Sequence, residues 1–204
     1  MKKILIVILA LISTISLYSQ TYNAHLIGIK GALNISGVAF APPKDGSSTV
    51  MTRKNYAISY IYYHNLWKSM PYFGFQAELY FQEQGYQLDE NKVICETVEV
   101  PFISQFHIDF WKMRLLINAG GFAGYRKSKS DGFAETDYRY DAGFIGGAGL
   151  AFVLKPFEFH IEGNYHYSLT YLYDPQKSSQ INLSFTHPNQ LLLSFGIYYQ
   201  LFSK

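Results

Sequence analysis

The residues able to do chemistry in this 204-residue chain fall into two groups. Glu78, Glu99, Glu158 and Glu162, with Lys30, Arg114, His160 and His166, stand at alternate positions of segments whose intervening residues are mostly apolar. Spaced by two along a strand, such groups share one face. Turned toward one another in an enclosed space, they would make either an interlocking ionic plug or a path for protons or ions. The plug is the expected arrangement, because buried charges must be paired or hydrogen-bonded. His160, Glu162 and His166 also suggest a metal site. Along a strand, however, they spread over about 20 Å at roughly 3.3 Å per residue, so one ion would reach two neighbours at most.

The second group, His64, Ser128, Asp131 and His187, contains the residue types of a hydrolytic triad. They fall on different loops and at both ends of the segments, with no nucleophile-elbow or paired-carboxylate spacing, and are read as solvated rim polarity. Gly146-Gly147-Ala148-Gly149 opens no helix and is no phosphate cradle. Its glycines are better suited to bending a strand or letting strands approach closely. Cys95 is the only cysteine, which excludes an intramolecular disulfide and a cysteine-type metal centre. No catalytic, cofactor-binding or metal-ligating residue is assigned, and the chain is read as non-enzymatic.

The elements that must position these groups are eight aromatic-rich segments of alternating polarity. They run from about Asn23 to Val38, Tyr56 to Trp67, Tyr72 to Tyr86, Lys92 to Phe110, Met113 to Tyr125, Tyr140 to Leu154, Phe157 to Tyr171 and Gln190 to Phe202. In the third, Phe73, Phe75, Ala77, Leu79 and Phe81 oppose Gln76, Glu78, Tyr80 and Gln82. In the seventh, Phe157, Phe159, Ile161, Tyr165 and Tyr167 oppose Glu158, His160, Glu162, Asn164 and His166. A period of two with one greasy face predicts strands. The second segment is polarised less clearly and the glycine-heavy sixth is ambiguous. Pro101, which lacks a ladder donor, predicts a bulge or irregularity in the fourth.

The links between segments alternate in length. Lys68 to Pro71, Trp111-Lys112 and Lys155-Pro156 are tight; Ala41 to Asn55, Leu88 to Asn91, Arg126 to Arg139 and Asp174 to Asn189 are read as the longer, polar set. That rhythm predicts an all-β, eight-stranded, antiparallel up-and-down transmembrane barrel with short periplasmic turns and longer, mobile extracellular loops. Aromatic residues make up 18% of the chain, which suits the girdles of such a barrel.

Residues 1–19 read as a signal peptide: Lys2 and Lys3 precede an apolar run of about 14 residues, short of the roughly 20 that span a bilayer. Cleavage after Ser19 would leave residues 20–204 as one barrel domain in the outer membrane. Net charge is +2, with acids and bases intermixed, which argues against a nucleic-acid partner. The expected partners are outer-membrane lipids, and the expected state is monomeric.

Phe75-Gln76-Ala77-Glu78-Leu79-Tyr80 with Gln84-Gly85, Val98-Glu99-Val100-Pro101-Phe102, the stretch from Ile117 to Tyr125, Gly143 to Gly149 and Leu193-Ser194-Phe195-Gly196 together resemble the PorT-like outer-membrane β-barrel family of the Bacteroidetes type. The resemblance covers nearly the whole mature chain and implies the outer-membrane barrel fold, but no one shared activity. The chain departs from the family at Asn164, where an arginine is common, and at Gln105, where a lysine is. Those positions leave open which groups would pair with Glu78 and Glu99. Two other roles stand beside the structural one: an accessory part of a type IX secretion or gliding machinery, linked to the family's founding member, and a soluble periplasmic lipocalin-like barrel with its apolar face turned inward around a ligand.

Overall fold

The computed structural model describes residues 23–41, 47–64, 72–88, 90–135, 137–173 and 185–203. The leader over 1–19 and the Lys68–Pro71 turn lie outside these residues. The strands are β1 (Ala24–Ala41), β2 (Ser47–His64), β3 (Tyr72–Leu88), β4 (Asn91–Phe110), β5 (Met113–Lys129), β6 (Tyr140–Leu154), β7 (Phe157–Ser168) and β8 (Phe185–Ser203). Each pairs antiparallel with its neighbour in sequence, and β8 returns to β1 from Ala24↔Ser203 to Ala41↔Phe185, closing an eight-stranded barrel. Closure leaves no free sheet edge along the wall.

The pleat puts apolar groups outside and polar groups inside. On β1, Ile27, Ile29 and Leu33 are exposed while Lys30, Asn34 and Ser36 are buried. On β3, Phe75, Leu79 and Phe81 face out and Gln76, Glu78, Tyr80 and Gln82 face in. β7 and β8 repeat the pattern, with Ile161, Tyr165, Leu193 and Phe195 outside, and Glu158, His160, Glu162, Asn164 and Ser194 inside. A row of register partners, Tyr56–Phe81–Val98–Tyr125–Tyr140, crosses β2 to β6 at the upper margin of the apolar wall. Phe73, Phe106, Phe157 and Tyr199 lie toward the lower margin, near the chain termini. From Phe157 to Tyr167 the apolar band is roughly 23 Å tall for strands tilted near 45°.

At the lower rim, Trp111 takes a left-handed φ of 56° in the tight turn joining β4 to β5. The turns there also bond sideways: Val153 N–H donates to Lys112 O (2.7 Å) and Gln200 N–H to Pro156 O (2.8 Å).

The upper rim differs from the sequence reading. The strands run on beyond the apolar band, so β2 begins at Ser47, β5 ends at Lys129 and β8 begins at Phe185. Leu88 pairs with Asn91, which makes the β3–β4 link a tight turn instead of one of the longer loops. Stretches such as Ser47-Ser48-Thr49 form ladders without an apolar face, so hydropathy alone does not reveal them. β7, by contrast, stops at Ser168, short of the expected Tyr171.

The two ambiguous segments have physical explanations. In β2 the register slips between Ala32↔Asn55 and Asn34↔Thr52, and Arg53 and Lys54 both face outward. This bulge inverts the polarity phase midway along the strand. Asn55 bridges the interruption: its Nδ2 donates to Thr52 O (2.9 Å), and Glu83 N–H donates to its Oδ1 (3.0 Å). In β6, Phe144, Leu150, Phe152 and Leu154 face out. Gly149 faces in, where a Cβ would meet Glu162 Cγ at 2.8 Å; at Gly147 it would collide with Asn164 Oδ1. These glycines make room for the large polar groups of β7.

Pro101 brings no bulge. β4 keeps one register with β3 from Tyr72↔His107 to Leu88↔Asn91, and Pro101 pairs with Phe122 on the other side. The missing donor shows instead as a gap in the β3 ladder between Ala77↔Phe102 and Tyr80↔Glu99.

Candidate functional site

The inward residues of β1, β3, β4, β5 and β7 meet in a buried polar network. Lys30 Nζ lies 2.9 Å from Glu78 Oε1 and 3.2 Å from Glu162 Oε1, answering the open question of the partner for Glu78. Gln76 donates to Glu78 as well. Gln105 Nε2 donates to Gln76 Oε1 (3.1 Å) and Asn118 Oδ1 (3.2 Å), and Asn118 Nδ2 donates to Glu162 Oε2 (2.9 Å). Lys30, Glu78, Gln76, Gln105, Asn118 and Glu162 thus close a ring across the hollow. With every member tied to two others, the ring is a transverse plug.

Below the ring, Arg114 Nη1 donates to both oxygens of Glu158 at 2.9 Å, its Nε lies 3.2 Å from Asp109, and its guanidinium stacks 4.6 Å from the Tyr63 ring centre. His160 stands between Glu158 (3.3 Å) and Glu162 (3.6 Å), linking this group to the ring. Above the ring, Tyr80 packs with Ala32, Ala57 and Leu192, and Ile103 packs with Phe122 and Ile145. Beyond that apolar layer, Glu99 is bound by His166 Nδ1 (2.7 Å), Gln82 Nε2 (2.7 Å) and Gln190 Nε2 (3.3 Å), from three other strands.

Past the upper edge of the apolar band the mouth is closed. Leu172, just after β7, packs against Tyr86 and Val93, and its N–H donates to Thr186 O (2.9 Å). The Tyr86 and Tyr173 hydroxyls share a hydrogen bond, and Lys129 Nζ lies 2.9 Å from Asp137 and 5.2 Å from the Tyr173 ring centre. Burial opposes the Lys129 charge, yet the hydrogen bond it donates to Asp137 holds its pKa above the ordinary lysine value. Cys95 lies in this same extension of β4, where burial pushes its thiol up to about 11. Arg126 completes the closure: it is fully buried, pairs with Asp141 (2.8 Å) and donates to Tyr138 O (2.9 Å) and Tyr140 O (3.2 Å).

All eight inward groups singled out from the sequence therefore meet partners in the lumen. The triad candidates do not meet. His64 is at the lower rim, 2.8 Å from Asn23 Oδ1, whereas His187, Ser128 and Asp131 are at the upper one. His187 accompanies Ser168 O (3.1 Å), and Asp131 lies 3.5 Å from Lys129. Among the described residues no group of three or more His, Cys, Asp or Glu side chains could hold a metal ion. The sequence reading sets Asn34, Gln76 and Asn118 on the polar faces but does not single them out, with Gln105 and Gln190, as members of the network. Their signal was available, since each alternates with apolar residues in the same phase as its charged neighbours.

No protein-family model matches the chain, and no curated protein matches it either. Solved structures with a similar fold include Ail, the attachment invasion locus protein of Yersinia pestis, solved with the heparin analogue sucrose octasulfate (18% identity, 88% of this chain and 98% of that one, TM-score 0.46). Neisserial surface protein A gives 7% identity over 88% of this chain and 99% of its own, with TM-score 0.48. The outer membrane protein OprG of Pseudomonas aeruginosa gives 9% identity over 90% and 98%, with TM-score 0.44. At these identities the likeness concerns the fold alone.

Proposed function

We propose that the chain is a small, non-enzymatic outer-membrane barrel whose wall faces acyl chains, whose hollow is closed by the polar plug, and whose upper hairpins stand outside the membrane as an interaction surface. The observation that carries this reading is the inversion of ordinary burial. Ile29 is 66% exposed, Phe144 62% and Ile161 54%, while Lys30, Glu99, Glu158 and Glu162 are each 3% exposed or less. Water on that wall would be costly; hydrocarbon there is favourable, and a closed barrel leaves no free strand edge in it. The lipocalin-like alternative needs the opposite facing, which this barrel does not have. The sequence motifs quoted above support a PorT-like relationship, and Lys2, Lys3 and the apolar run after them support a cleaved leader; in this reading the chain is a monomer with its termini and the lower turns on the periplasmic side.

The test is accessibility. Spin or bromine quenchers carried on lipid chains should quench fluorophores placed at Phe75, Ile161 and Phe195 in reconstituted protein. Quantitative extraction from membranes by salt alone, or quenching of all three sites only by water-soluble agents, would refute the outer-membrane reading. Normal secretion and surface spreading after deletion of the gene would remove the accessory role in a secretion machinery.

A further inference from the structure

The layer around Glu99 has more hydrogen-bond acceptors than donors. Asn34 Nδ2 donates to Gln190 Oε1 (2.8 Å) and to Glu83 O (3.0 Å); Gln190 and Gln82 each donate through Nε2 to Glu99 Oε2. Every amide NH2 in the group is thus turned to an acceptor. Asn34 Oδ1 and Gln82 Oε1 are left buried with no hydrogen-bond partner. Turning the Gln82 amide over would set its oxygen against the carboxylate, so the unpartnered oxygen follows from the chemistry of the group. Asn34, Gln82 and Glu99 are each 3% exposed or less.

Charge is short in the same place. Lys30 serves Glu78 and Glu162, Arg114 serves Asp109 and Glu158, and Arg126 serves Asp141. Among the described residues only the His166 imidazole comes within ion-pair distance of the fully buried Glu99. A water molecule could donate to the unpartnered oxygens, but it would add no charge against the carboxylate.

We propose that this layer is a binding site for a small monovalent cation of the sodium type, held by Glu99 with the amide oxygens of Asn34 and Gln82. Carboxylate and amide oxygens suit a hard cation. A single carboxylate among neutral ligands balances one positive charge, whereas a divalent ion would leave an excess in a buried space. By joining β1, β3 and β4 above the apolar layer, the ion would brace the barrel where the β2 bulge and the Pro101 gap interrupt its ladders.

The folded protein in detergent micelles tests this. Thermal unfolding, read by heat-modifiable gel migration, is compared in sodium chloride and in choline chloride at equal ionic strength. The expected result is a midpoint higher by about 4 °C in sodium, corresponding to a ligand that binds only the folded state. Glu99→Gln should abolish the difference, and Gln82→Met, which keeps the charge but removes one oxygen, should reduce it. Sodium NMR line broadening by the parent protein should be lost in the same order. Equal midpoints in the two salts, or a sodium effect retained by Glu99→Gln, would mean that the layer holds water only and would overturn the proposal. Should Glu99→Gln not fold, a full sodium effect in both Gln82→Met and Asn34→Ala would overturn it equally.

Discussion

Lys30 on β1 and Glu162 on β7 approach to 3.2 Å although β8 runs between their strands. The lysine stem crosses over β8 at Gly196, where an added Cβ would meet Lys30 Cγ at 3.0 Å and the Tyr198 ring at 2.8 Å. One ion pair therefore spans three strands because the middle one carries no side chain at the crossing point. The same ammonium holds Glu78 from β3, so a single cation gathers two carboxylates from opposite sides of the hollow.

Removing that cation should be severe. Lys30→Met would leave Glu78 and Glu162 in one buried space without their shared counter-charge, at a cost of about 3–5 kcal/mol in urea unfolding from lipid vesicles. Adding Glu78→Gln and Glu162→Gln to the lysine variant should recover much of the loss. A stability within experimental error of the parent for Lys30→Met alone would show that the pair does not brace the barrel.

Two adjacent glycines of β6 should respond differently to enlargement. Gly147→Val would drive a side chain into Asn164 and the β7 backbone, and overpacking of this kind costs about 1–3 kcal/mol. Gly146→Val projects from the outer wall, where nothing lies within 4 Å, and should stay within about 0.5 kcal/mol of the parent. Parallel unfolding curves in vesicles would check the contrast; equal losses for both would contradict the facing of β6.

The closed mouth predicts a slow thiol. Cys95 is 3% exposed, beneath the cover that Leu172 forms, and its pKa rises from 9.0 to about 11. It should react with maleimide far more slowly than a free thiol at neutral pH. Leu172→Asp, which breaks the contact with Tyr86 and Val93, should accelerate labelling without changing the heat-modifiable migration of the barrel. Labelling of the parent at the rate of an exposed thiol would disprove the cover.

The same shift fixes a pH window. The folded thiol holds its proton more tightly than the unfolded one, so its contribution to stability is fully present below pH 9.0 and is lost as pH rises through about 11. The raised Lys129 acts in the same direction: the Asp137 pairing contributes below pH 10.5 and fades above it. Hydrogen exchange of residues 171–173 should therefore quicken between pH 9.5 and 11, before the wall strands open. Protection of this segment that is unchanged across that range would exclude both contributions.

How far the sequence reaches depends on whether a feature is local. Strand type, the facing of β1, β3, β7 and β8, and the tight lower turns are fixed by a period of two and by turn residues only a few positions apart. The extent of the upper hairpins was hidden because Ser47 to Thr49 and Arg126 to Lys129 pair beyond the apolar band, where no greasy face marks a strand. The phase slip at Arg53-Lys54 was hidden for a related reason. A bulge adds one residue that only the partner strand can count.

Pairing inside the hollow lies one level further away. The sequence alone determined that Glu78, Glu99, Glu158 and Glu162 would share the face opposite the apolar one with Lys30, Arg114, His160 and His166, since alternation along each strand needs no knowledge of the others; that this face turns inward is seen in the closed barrel. Which carboxylate met which cation was decided by closure and by the stagger of eight strands. These set the height of Lys30 against Glu162, a strand removed, and left Glu99 with only imidazole and amide groups around it. Such heights accumulate from every register shift around the wall, so no single segment encodes them.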